Sequence, residues 1–96
     1  MLTKEIVIDK IEVLEDGQMQ VREATRIFEN DVFVSQSFHR HVVEPGNDLD
    51  KEDERVANVG AVVHTPEAVA KFDVIRRQRE AARKHREDKA RLAREA

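Results

Sequence analysis

Ninety-six residues, 39% of them charged and only 4% aromatic, confine the chain to one small domain with a thin supply of apolar side chains. The absence of cysteine excludes disulfides and thiolate metal sites. The net charge of −3 conceals an asymmetry: residues 1–75 carry 8 Lys/Arg against 16 Asp/Glu, whereas residues 76–96 carry 9 against 4, an acidic body with a basic arm.

No apolar run reaches the roughly 18–20 residues that a membrane span needs, and the opening MLTKEIVID lacks the apolar stretch of a signal peptide. A soluble chain made in a cytoplasm, with no membrane partner, is the expectation. Residues 4–14 are rich in β-branched side chains (Ile6, Val7, Ile8, Ile11, Val13) and predict a first strand. Its apolar parity changes across Asp9-Lys10, which predicts a bulge. Asp16-Gly17 then signals a hairpin, because a primed turn needs positive φ at both central residues. Residues 19–28 alternate partly, with Met19, Val21 and Ile27 on one face and Gln20, Arg22 and Arg26 on the other. A turn at Glu29-Asn30-Asp31 leads into a third strand over 32–43, with Val32, Val34, Phe38 and Val42 on one face and Phe33 and Val43 on the other. A three-stranded sheet that is apolar on both sides needs two covers, and one short helix supplies only one.

A polar loop around Pro45-Gly46 precedes a helix beginning near Asp50, with Asp48 or Asp50 as cap and Val56, Val59, Val62 and Val63 as the buried stripe. It stops at His64-Thr65, where a histidine suits the negative end of the dipole. Thr65-Pro66-Glu67 opens a second helix, capped by the threonine, with proline at the first helical position. Ala68, Val69, Phe72 and Ile75 form a stripe that packs on the body. Beyond Arg76 the stripe fails, and opposite charges four apart (Glu80–Lys84, Arg83–Glu87, Glu87–Arg91, Arg91–Glu95) support a solvated, projecting helix. The fold class is therefore α+β: a three-stranded antiparallel β-meander, a short helix packed on it and a long charged C-terminal helix, with a domain over 1–75 and an arm over 76–96.

His39 and His41, two apart on a strand, share a face and are weak candidates for a metal completed by Asp48 or Asp50. As residues near the end of the last strand they are expected, with Phe33, Phe38 and Val43, at an interface. His85 falls among the charges of the arm. No glycine-rich phosphate loop, nucleophile elbow or HExxH motif occurs, so neither a catalytic residue nor a cofactor is expected. The arm residues Arg76, Arg77, Arg79, Arg83, Lys84, Arg86, Lys89, Arg91 and Arg94 suit docking on an acidic protein surface. Nucleic acid is the alternative ligand, disfavoured by four interleaved acids and by the lack of any aromatic after Phe72. Neither heptad register of the arm is apolar enough to form a coiled coil unaided.

The strings IDKIEVLEDGQMQVREATRI, SFHRHVVEPGNDL and VVHTPEAVAKF resemble short proteins encoded among the structural and tail genes of tailed bacteriophages and prophages. The resemblance covers roughly residues 1–75 and brings no catalytic residues with it. It implies a structural subunit of a virion, of the tail or its adsorption apparatus, that forms a homo-oligomer or meets other virion proteins. A nucleic-acid-binding or regulatory phage protein and a capsid decoration protein are the alternatives.

Overall fold

The computed structural model describes residues 1–95. It contains β1 (Leu2–Val13), β2 (Met19–Glu29), β3 (Val32–Val43), α1 (Glu54–Val63) and α2 (Pro66–Glu95), an α+β meander with a short and a long helix, as the sequence predicts. The strands pair antiparallel in the order β1-β2-β3, so β1 and β3 are both edges.

The two hairpin turns exchange the roles read from the sequence. At Asp16-Gly17 the Leu14 N–H donates to the Gln18 carbonyl at 2.8 Å, and the Gly17 N–H donates to the Leu14 carbonyl at 2.9 Å. Gly17 alone takes a positive φ there, +92°, so the connection is a three-residue loop ending in a left-handed glycine. The primed two-residue turn is Asn30-Asp31, with φ of 49° and 68°, between the paired residues Glu29 and Val32. Asn and Asp tolerate this region better than other side chains.

The bulge predicted at Asp9 is present: the register shifts between Ile8 and Lys10 opposite Glu23 and Arg22. A second, unpredicted bulge inserts Val34 between Ser35, opposite Ile27, and Phe33, opposite Phe28. It corrects the facing of the third strand. Phe33 joins Phe38 and Val42 on one side of the sheet, and its ring meets Phe28 edge-on at 6.0 Å.

The other side of the sheet carries the core. Met19, Val21 and Val43 are buried there with Val56 of α1, and Ile8, Ile11, Leu49, Val59 and Val63 close around them. Val43 therefore fills the core and is removed from the predicted interface. Gly60 allows α1 to approach closely, since a Cβ there would lie 2.8 Å from Leu49 Cδ1. Val62, predicted to be buried, points to solvent because α1 has only one packed side. The cap of α1 is Asp53, not Asp48 or Asp50; its carboxylate accepts from the Arg55 N–H at 2.9 Å. Asp48 instead closes a local turn on the Asp50 N–H. Residue His64 ends α1 and turns its ring to the hairpin, where Nε2 donates to the Gly17 carbonyl at 2.8 Å and Nδ1 is buried with no hydrogen-bond partner among the described residues.

Helix α2 starts at the predicted cap, with Thr65 Oγ1 accepting from the Ala68 N–H at 3.1 Å. Phe72 is buried and Val69 lies against Gly46, so the first turns cross the end of the sheet. No break occurs at Arg76; the helix is continuous, and Arg79 still reaches Asp16 of the β1–β2 loop at 3.1 Å. The chain measures 66 × 37 × 20 Å with a radius of gyration of 19.5 Å. A compact domain of this length has a radius of about 13 Å, so the molecule is elongated.

Candidate interaction surface

Both helices gather at one end of the sheet, and its second face carries neither. Along that face the register sets Val7, Ala24 and Phe38 in one row, Lys10, Arg22 and Arg40 in the next, and Phe28 and Phe33 further on. A bulge opposes two residues to one, which brings Asp9 beside Lys10 opposite Arg22. The Asp9 carboxylate consequently accepts two hydrogen bonds from Arg22, at 2.9 Å from Nε and 2.8 Å from Nη2. This fork holds the guanidinium over the Phe38 ring, 4.4 Å from its centroid, while Arg40 lies 5.8 Å away. Ala24, the smallest residue of its row, is fully buried beneath this stack. The Arg22 hydrogen bond holds the Asp9 carboxyl below its ordinary range, and Asp9 in turn raises the pKa of Arg22.

The result is a flat, partly apolar surface with a preorganised cation at its centre. Phe33, Phe38 and Val42 remain 51%, 41% and 48% exposed. Between Val42 and the arginine row lies a shallow hollow of about 280 Å³, bordered by Lys10, Gln20 and Arg40. Such a surface can stack and hydrogen-bond a protein partner. Among the described residues it presents no paired nucleophile and base.

The two strand histidines lie on the opposite, helix-bearing face. His41 Nε2 sits 2.9 Å from Glu52 Oε2, a carboxylate other than the two considered for it. His39 is exposed opposite Glu23. Among the described residues no three His, Asp or Glu side chains converge on a point where a metal could sit.

The nine cations of the arm are only partly free. Arg76 and Arg77 both pair with Asp73, Arg79 with Asp16, Arg83 with Glu87 at 4.0 Å and Arg91 with Asp88 at 3.6 Å. Lys84, Arg86, Lys89 and Arg94 are exposed, with no acidic partner among the described residues. The Asp9–Arg22–Phe38 stack and the Asp16–Arg79 link escaped the sequence reading. The first was accessible from the parity break at Asp9, which predicts the bulge that turns a carboxylate toward Arg22. No helix of the described residues is long and apolar enough to cross a membrane. No protein-family model, curated protein or solved structure matches the chain.

Proposed function

We propose that this chain is a non-enzymatic structural subunit of a larger assembly, a tailed-phage virion as its sequence resemblance implies, in the tail or adsorption apparatus. The observation that carries the proposal is the helix-free sheet face, where Phe33, Phe38 and Val42 stay exposed around a fixed arginine. A domain this small has little apolar area to leave in water unless another surface covers it. The elongated shape and the projecting arm suit a part that touches several neighbours. In this reading the sheet makes the principal contact and Lys84, Arg86, Lys89 and Arg94 dock on an acidic surface.

Light scattering over a range of concentration and salt tests it. A defined oligomer that persists in high salt is expected, because apolar burial strengthens or holds as ionic screening rises. Peptides of the chain are expected in gradient-purified particles of the phage that encodes it. A salt-insensitive monomer missing from those particles would overturn the proposal. The nucleic-acid alternative has less support, since five of the nine arm cations already have acidic partners within the chain. It predicts salt-sensitive DNA binding.

A further inference from the structure

The two edges of the sheet are protected very differently. On β1 the edge carries Lys4, Glu5 and Lys10, is bent by the Asp9 bulge, and has its Ile8 carbonyl occupied by Arg55 Nη1 at 3.0 Å. Charges, bulges and covering side chains are the devices by which sheets avoid edge-to-edge pairing. On β3 such devices lie only toward the ends, the Val34 bulge near its start and Arg40 near its finish, and none falls on residues 35–38. Residues 32–38, VFVSQSF, hold no charge, proline or glycine, and every residue from Val32 to Arg40 is exposed. Among the described residues no turn, loop or cap backbone hydrogen bond reaches β3.

We infer that β3 pairs antiparallel with β3 of a second copy, about a two-fold axis at Phe38, joining two meanders into one six-stranded sheet. This inference rests on the structural-subunit reading and specifies its contact. The register follows from the limits of regular strand. The Val34 bulge interrupts it on one side, and the His41–Glu52 contact marks where α1 and its approach begin on the other. Between these lie residues 35–41, whose midpoint is Phe38. Antiparallel pairing about that point opposes Phe38 to its mate, a favoured aromatic cross-strand pair. It sets Arg40 against Gln36 and His39 against Ser37, so no cation faces its own copy. A parallel arrangement in register would stack Arg40 on Arg40 and both histidines on their mates. A two-fold contact also closes on itself, which limits growth to a dimer through this edge. The helix-free face of each copy then continues across the junction as a single surface.

Cysteine scanning reads the register directly, because the chain has no cysteine of its own. Cα atoms of opposed strand residues lie about 4.5–5.5 Å apart, within disulfide range. An equimolar mixture of S37C and H39C is expected to form intermolecular disulfides at least tenfold faster than either variant alone. In the otherwise native chain, S37K is expected to raise the dimer dissociation constant at least tenfold, while T3K on β1 leaves it unchanged; circular dichroism confirms that both fold. Equal trapping by S37C alone overturns the register, and so the inference. An oligomer indifferent to S37K, or lost equally in T3K, overturns edge pairing but leaves self-assembly through another surface standing. A monomer at every concentration, with no trapping in the mixture, overturns both the inference and the self-assembly beneath it.

Discussion

The two ends of the sheet make opposite use of similar strands. At the β1–β2 loop end, Met19, Val21 and Val43 are fully enclosed by α1, and Phe72 of α2 is buried close by. At the Asn30-Asp31 end, Leu2, Ile6, Val32, Phe33 and Val34 are each more than half exposed. Apolar strand formers occur in both halves, Ile8, Ile11, Val13, Val21, Val42 and Val43 toward the β1–β2 loop and Ile6, Val7, Ile27, Phe28, Val32 and Phe33 toward the other end. What differs is cover. The chain lays its ten-residue helix α1 over one end of one face of the sheet, and the far end of the hairpin is held by its ladder and by side-chain contacts such as Phe28 against Phe33. Packing against the helices is thus confined to one end of the sheet.

Breaking the packed end produces the largest effect. Met19→Ala removes a fully buried side chain from the centre of the core and is expected to cost about 2–5 kcal/mol, read as a lowered urea midpoint at unchanged m-value. Acid is expected to act next. The Asp16 carboxyl is held low first by the Gln18 side chain, then by the Gln18 N–H and Arg79, and Asp9 is held low by Arg22. Each stays ionised in the folded protein to a lower pH than in the unfolded chain, so the unfolded state binds more protons between the two values. Their contribution is complete above the ordinary carboxyl value of 3.8 and is lost as pH falls through the folded one. The urea midpoint of the wild type should drop below pH 4, and D16N should flatten that drop. Smallest is the effect at the bare end: Ile6→Ala, at a side chain 54% exposed, should change monomer stability by no more than about 0.5 kcal/mol. A cost near that of Met19→Ala would mean that the far hairpin is covered in solution.

Much of this division was legible in the sequence. The β-branched run of β1, the parity break at Asp9, the Thr65-Pro66 start of α2 and the stripe ending near Ile75 are local signals, and local backbone chemistry fixes them. The shortage of cover for a two-sided sheet also followed from counting helices against faces. The facing of Phe33 did not follow, because three consecutive apolar residues, Val32, Phe33 and Val34, fit either parity and no turn residue marks the bulge between them. Val43 lies two residues before Pro45, and only the path of the following loop decides that α1 folds back over it. That same path delivers Glu52, rather than Asp48 or Asp50, to His41. A run of five acids within seven residues offers several partners, and sequence spacing cannot choose among them.

The continuity of α2 has a mechanical consequence. Its root is gripped by Gly46 at Val69 and by Asp16 at Arg79, and the remaining sixteen residues to Glu95 extend about 24 Å at 1.5 Å per residue. With no glycine or proline after Pro66 to act as a joint, the helix behaves as a lever whose fulcrum is the Asp16–Arg79 strap. A rocking of a few degrees at the sheet becomes a displacement of ångströms at Arg94, and a load applied to the tip is returned, with leverage, to the β1–β2 loop.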